Sequence, residues 1–278
     1  MALKDILVHV DSSKHNAARM DAAISLAVDH EAHLTGLYVL THAHIPGYIR
    51  AQISAEVLEV QAKAAEEAAK KAEAAFREAA ERAGLVFEWR QVSGELVETL
   101  SLHARYCDLV VAGQHDPDDG DLNGGGDMPD RLILSVGRPV LLIPYVGHYE
   151  NLGQRIMVAW DSSRLATRAV NDAMPILQKA KHVDVMAVNP AEAEEGHGEV
   201  PGADICLHLA RHGVKAEAHH VSASDVDPAD MLLSRAADEG IDMIVMGAYG
   251  HARWRELVLG GVTRHMLHHM TVPVLMSH

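Results

Sequence analysis

The sequence predicts two consecutive α/β units, each built on a doubly wound, five-stranded parallel sheet. Three observations carry this. The chain repeats itself. Strand-sized apolar runs alternate with helical patterns in both copies. The strand runs are apolar on both faces, as strands covered by helices on either side must be. A length of 278 residues suffices for two such units.

The repeat is read from short matched phrases. Val8-His9-Val10-Asp11-Ser12-Ser13 returns as Val158-Ala159-Trp160-Asp161-Ser162-Ser163, at an offset of 150. Asp108 to Gly113 returns as Asp242 to Gly247, and Pro139-Val140-Leu141 as Pro273-Val274-Leu275, both at an offset of 134. Arg82-Ala83-Gly84 matches Arg211-His212-Gly213 at 129, so the second copy has lost about 21 residues before Gly213 and gained about five near Ser224 to Pro228. Expected strands in the first copy are Asp5–Val10, Leu34–Leu40, Phe87–Val92, Leu109–Ala112 and Val140–Ile143. In the second they are Arg155–Trp160, Val183–Val188, Ala216–Val221, Met243–Gly247 and Val272–Met276. Helical patterns cover Asn16–Glu31, Ser54–Ala83, Glu95–Ala104 and Met128–Ser135, then Leu165–Ala180, Ala203–His212, Ala229–Glu239 and Leu257–His269. The polar stretch Val146 to Gln154, with Gly147 and Gly153, separates a domain over residues 1–147 from one over 154–278. The Ser54–Ala83 helix accounts for the extra residues of the first copy. It is rich in Ala, Glu and Lys, which suits either an exposed helix held by its own propensity or a cover over the first unit.

Composition excludes several functions. The longest apolar runs are strand-sized, so no membrane span is expected. The N-terminus runs straight into the first strand with no signal peptide, and the two cysteines, Cys107 and Cys206, lie in different halves outside any CxxC motif. A cytoplasmic protein with reduced thiols is the expectation. A formal net charge of −15 argues against broad electrostatic binding of nucleic acid. The 20 histidines read as scattered surface residues or as a pH-sensing set, since imidazoles gain charge below roughly pH 6.5.

One segment proposes a ligand. Gly247 and Gly250, nine further residues, then Gly260 and Gly261 connect the fourth strand of the second copy to its last helix. Glycines at a strand-to-helix turn let backbone N–H groups approach a phosphate, and the helix N-terminus adds a favourable dipole. In a doubly wound sheet this loop meets the loop after the first strand, where Asp161 stands. Asp161 can accept hydrogen bonds from a base or ribose, or it can cap the following helix.

Two five-stranded units, an Asp after the first strand of each, a G-x2-G-x9-G loop and the closing phrase Val272-Pro273-Val274-Leu275-Met276 together resemble a tandem universal stress protein of the UspA family. The resemblance covers nearly the whole chain. It implies Rossmann-like domains of the adenine nucleotide alpha hydrolase-like kind. It also implies a regulatory protein that binds ATP, with magnesium possible beside it, in the second domain. By the resemblance, Asp161 and the backbone near Val188 meet adenine, and Gly247 lies beside the ribose. Gly250, Gly260, Gly261 and Val262 present amides to the phosphates. The family usually carries Ser or Thr where this chain has Gly261. The lost hydroxyl contributes roughly 0.5–1.5 kcal/mol, and Thr263 is a candidate substitute. His251, Arg253 and Arg255 are candidate supplements to phosphate binding.

The first copy departs from this pattern. At offset 134, Asp116 replaces Gly250 and Asp127 replaces Gly261, with Asp118, Asp119 and Asp121 nearby. Carboxylates around a phosphate site repel it; at an effective dielectric near 20, two unit charges 4 Å apart cost about 4 kcal/mol. No nucleotide is expected there, and Asp11 reads as a remnant of the shared strand–turn. His115 with this acidic run, and His265, His268 and His269 on one helix face, are the weak metal candidates; neither spacing matches a known metal motif, and no metal site is assigned. No catalytic triad, Walker A lysine or G-x-S-x-G elbow is present, so no catalytic residue is assigned and hydrolysis is at most slow. The alternative function is a stress-response interaction scaffold with both sites degenerate. The apolar segments Val140–Ile143 and Val272–Met276 need covering and are expected to pair across the two halves, so that one chain mimics a dimer; a further homodimer stays open.

Overall fold

The computed structural model describes residues 2–41, 54–118, 126–149, 151–189, 200–222, 225–250 and 261–278. The first half runs β1 (Asp5–Val10), α1 (Asn16–His30), β2 (His33–Leu40), α2 (Ala55–Arg82), β3 (Phe87–Ser93), α3 (Leu96–Ala104), β4 (Leu109–Gly113), α4 (Met128–Val136) and β5 (Val140–Ile143). The second runs β6 (Arg155–Ala159), α5 (Arg164–Leu177), β7 (His182–Val188), α6 (Ala203–Arg211), β8 (Ala216–Val221), α7 (Pro228–Glu239), β9 (Met243–Gly247), α8 (Gly261–His269) and β10 (Val274–Ser277). Residues 257–260 of the last expected helix lie outside the described residues. β10 starts at Val274 rather than Val272, since Pro273 has no N–H to give a ladder.

Among the described residues ten strands form one sheet, in the order β3-β2-β1-β4-β5-β10-β9-β6-β7-β8. Neighbours within each half are parallel. The halves join through β5 and β10, which run antiparallel with Leu141 opposite Leu275. The two apolar edge segments therefore cover each other, as expected of a chain that mimics a dimer. Strand order reverses between β1 and β4, and again between β6 and β9.

Alternation along the strands sorts the core into two layers. Ile6, Val8 and Val10 face α1 and α2, while Leu7 faces α3 and α4; in the second half Ile156 and Val158 face α5 and α6, while Met157 faces α7 and α8. The repeated aspartates tie the strand entries together in each half of the sheet. Asp108 accepts the N–H groups of Lys4 and Asp5, and Asp242 accepts those of Gly153, Gln154 and Arg155 at 2.8–2.9 Å.

Helix α2 divides in two. Ser54 caps it, its side chain accepting the Val57 N–H, and its first turns are exposed. Farther along, Ala69, Ala72, Phe76 and Ala80 are buried. Phe76 packs edge-on to Phe87 and tilted against Trp89, over Gly36, where any Cβ would lie 2.8 Å from the ring. The C-terminal part of α2 is thus a cover, and the N-terminal part is a solvated helix.

Candidate functional site

A cavity of about 440 Å3 opens at the carboxyl ends of β6 and β9, where the strand order of the second half reverses. Asp161, Val188, Gly247, Gly250, Gly261, Val262 and Thr263 all line it. Gly260 and the loop residues His251, Arg253 and Arg255 lie outside the described residues. The volume falls in the range of small-molecule sites.

Local chemistry shapes each wall. The turn after β6 is held by Asp161, which accepts the Ser163 N–H at 3.0 Å, with Ser162 in the left-handed region at φ +60°. Ser163, not Asp161, caps α5, its hydroxyl accepting the Ala166 N–H at 3.1 Å. Gly247 allows α5 to press onto the end of β9: a Cβ there would stand 2.6 Å from Ala166 N and Leu165 C. Gly250 lies against the Asp161 turn with room for a methyl group: a Cβ there would stand 3.6 Å from Ser163 Oγ, 3.8 Å from Leu165 Cδ1 and 3.9 Å from Asp161 Oδ2. At Gly261 a Cβ would meet nothing within 4 Å, so the first residue of α8 faces open space.

Thr263, the candidate substitute for the missing hydroxyl at Gly261, lines the cavity and also serves the loop. It is 4% exposed, and its Oγ1 accepts the Tyr249 N–H at 3.1 Å. That bond ties the start of the glycine loop to α8 and holds Tyr249 at φ +60°. The Tyr249 hydroxyl donates to Asp130 on α4 of the first half. Burial first, and then this carboxylate, push the Tyr249 hydroxyl pKa upward.

Other wall residues escaped the sequence reading. Met186, Leu232, Pro228 and Met246 supply an apolar surface, and Asp227 adds a carboxylate already engaged in capping α7 through the Ala229 N–H at 2.8 Å. The signal for Asp227 and Pro228 was the five-residue gain near Ser224 to Pro228, read only as a length difference.

The first half is built differently at the equivalent place. His9 stands where Ala159 lines the second cavity, and Asp11 where Asp161 does. Arg19 donates to Asp11 at 2.8 Å and to Asn16 Oδ1 at 3.1 Å, and its Nη1 lies 2.5 Å from where a Cβ on Gly113 would sit. Burial acts to raise the Asp11 pKa, but Arg19, His9 and the Ser13 hydroxyl outweigh it and hold the carboxyl well below its usual range. Desolvation, with Arg19, depresses His9 to about 4. Asp11, retained from the shared strand–turn, serves here as a buried ion-pair partner. Asp116 is no bare repulsive charge: Lys14 at 2.9 Å and His15 at 2.8 Å compensate it and pull its pKa down. Asp119 and Asp121 lie outside the described residues.

Among the described residues, no three His, Cys, Asp or Glu side chains are arranged to hold a metal. His265 pairs with Asp230 at 2.7 Å and stacks on His269 with ring centroids 4.3 Å apart. Burial raises Cys107 to about 12 and Cys206 to about 11, so neither thiol is activated as a nucleophile. Among the described residues no helix is long and apolar enough to cross a membrane.

Comparison with known proteins agrees with this architecture. The structure of a universal stress protein from Archaeoglobus fulgidus DSM 4304 superposes with a TM-score of 0.75 at 16% identity, covering 98% of this chain and 95% of that one. A functionally unknown protein from Pseudomonas aeruginosa PAO1 superposes at 0.57 and 15% identity, over 99% and 92% of the two chains. At this identity both show the fold alone. Among curated proteins, the universal stress protein MJ0577 of Methanocaldococcus jannaschii is 38% identical over 48 residues, which is 17% of this chain and 30% of that protein. The match thus spans under a third of the relative's length. The sequence model of the universal stress protein family matches twice, over residues 2–144 and again over 153–278. With a ten-stranded pseudo-dimer, a shared Asp turn in each half and two family matches that together cover nearly all of its length, this chain belongs to the universal stress protein family.

Proposed function

We propose that this chain is a regulatory protein that binds ATP, or another adenine nucleotide, in the cavity of its second half, with slow or no hydrolysis. The observation that carries the reading is the convergence of Asp161, Gly247, Gly250 and the start of α8 on one cavity about 440 Å3 in volume. Asp161 and the main chain at Val188 would recognise the base. Gly250, Gly260, Gly261 and Val262 would give backbone amides to the phosphates, aided by the dipole of α8. Magnesium would accompany the phosphates rather than occupy a protein site. Among the described residues lining the cavity no general base is assigned for attack on the γ-phosphate, and the reading is of a nucleotide held, with slow or no turnover. The cytoplasm, where ATP is abundant and both thiols stay reduced, is the proposed location.

The test begins with protein purified without added nucleotide. Released small molecules are identified after denaturation, and ATP is then titrated by calorimetry with and without magnesium. One site per chain, lost in Gly250→Asp, is the expected result. Two sites, or none at millimolar ATP, would overturn the proposal. The second outcome would favour an interaction scaffold, a reading that the missing hydroxyl at Gly261 and the self-paired first half would then support. Any slow release of phosphate should vanish in the same variant.

A further inference from the structure

We infer that Asp130, on α4 of the first half, is a positioning residue for the start of the second half's glycine loop, at Tyr249 and Gly250, and acts through Tyr249. Tyr249 is the residue before Gly250, and three contacts fix it. Its N–H is held by Thr263 Oγ1 at 3.1 Å, its hydroxyl donates to Asp130, and its ring meets His278 edge-on at 6.2 Å. His278 in turn bonds the Ala248 carbonyl at 3.0 Å. A non-glycine residue at φ +60° is disfavoured on its own and persists where its surroundings impose it. Two of these contacts come from the second half; the one on the side-chain oxygen crosses from the first.

The link runs one way. The repeat relates Tyr249 to His115 and Asp130 to Arg264, each at offset 134. The reverse pairing would set an imidazole against a guanidinium, which supplies no acceptor carboxylate. A second contact has the same direction. Gln114 of the first half donates to the Leu267 carbonyl of α8 at 3.0 Å, and its counterpart Ala248 has no polar side chain. The first half therefore grips both parts of the unit proposed to cradle phosphate, the loop start and the helix. The second half makes neither of these contacts in return. A half in which Arg19 fills the space against Gly113 retains a use as the fixed support of its neighbour's site. Consequences for the ligand rest on the nucleotide reading above; the positioning itself does not.

The experiment uses the full chain and two variants, Asp130→Ala and Tyr249→Phe. The second keeps the ring and its contact with His278 and removes only the hydroxyl. Amide exchange at Tyr249 is measured without ligand, and ATP with magnesium is titrated by calorimetry. In both variants the Tyr249 N–H should exchange faster, and ATP should bind roughly 3- to 10-fold more weakly, the worth of about one hydrogen bond. A merely structural contact would lower the thermal midpoint without speeding exchange at Tyr249 relative to other amides. Unchanged relative exchange at Tyr249 overturns the inference, whatever the ATP result. Faster exchange with undiminished ATP affinity also overturns it, because the loop then needs no such support. If the parent chain binds no ATP the nucleotide reading falls, and the exchange comparison alone decides whether Asp130 positions the loop.

Discussion

The Arg19 guanidinium meets the Asp11 carboxylate at 2.8 Å, with side chains only 5% and 8% exposed. In the second half the same turn carries Asp161 at the wall of a cavity. One strand–turn, written twice, thus carries an ion pair against Gly113 in one copy, with a hollow of about 480 Å3 left only between Asp11–Ser13 and α2, and in the other copy opens onto the cavity lined by Gly247 and Gly250. Arg19 makes the difference, reaching from α1 across Asp11 to the face of Gly113. Among the described residues its Nε has no hydrogen-bond partner, so the pair is not ideally satisfied.

Removing Arg19 should therefore be costly. Arg19→Ala leaves the Asp11 carboxylate buried without its counter-charge, and breaking one side of such a pair typically costs about 3–5 kcal/mol. The expected result is a clear fall in Tm or in the urea midpoint, with ATP stoichiometry in the second half unchanged. An unaltered midpoint would mean that Asp11 finds water or another cation, and that the pair does not lock the first half.

Acid stability should report His9. Its pKa is depressed to about 4, so the folded chain holds His9 neutral while the unfolded chain protonates it near 6.5. Between those values the unfolded state binds more protons, and stability falls as pH falls. A shift of this size corresponds to at most ~3 kcal/mol across the window. His9→Ala, which installs the residue found at Ala159, should flatten the curve of stability against pH from about 6.5 to about 4 relative to the parent. Parallel curves for the two proteins would show that His9 titrates normally. The difference between them is the informative quantity, since His30 is also depressed to about 4.

Much of this was legible from residues alone, for reasons that differ by element. The strands announced themselves because doubly buried β-structure requires unbroken apolar runs, as in Leu109 to Ala112. The Asp161 turn and the glycines were legible because strand ends and φ freedom are local properties. Arg19 was not, because its role depends on a side chain reaching from a helix to two strand ends. Nor was the compensation of Asp116, since Lys14 and His15 come from a loop about a hundred positions away. Tyr249 looked like an ordinary loop aromatic; only the antiparallel join of β5 and β10 brings Asp130 to its hydroxyl.

The two glycines of the motif should separate fold from ligand. Gly247→Ala forces a methyl group to 2.6 Å from the backbone of α5, so the helix must move, at about 1–3 kcal/mol. Gly250→Ala meets only ordinary contacts, and its stability should change by no more than about 0.5 kcal/mol. Gly250→Asp should fold equally well but place a second carboxylate beside Asp161, and so exclude a polyphosphate. Equal thermal midpoints for Gly247→Ala and Gly250→Ala would contradict the packing argument.

Helix α2 offers a test of how the first half gained its cover. Phe76 is fully buried, and Gly36 opposite it leaves room for the ring and nothing more. Phe76→Ala should cost about 3–5 kcal/mol, since a cavity replaces an aromatic side chain. Gly36→Ala should also destabilise, because its methyl group would lie 2.8 Å from the ring. The two changes are complementary in volume, so the double variant should lose less than the sum of the singles, by the positive coupling expected of residues in contact. A double-mutant cycle in urea measures this directly, and protease cleavage within residues 55–82 should rise in Phe76→Ala and partly recover in the double variant. Additive effects would show that Phe76 does not anchor α2 through Gly36, and that the helix is held by its propensity and its exposed ion pairs instead.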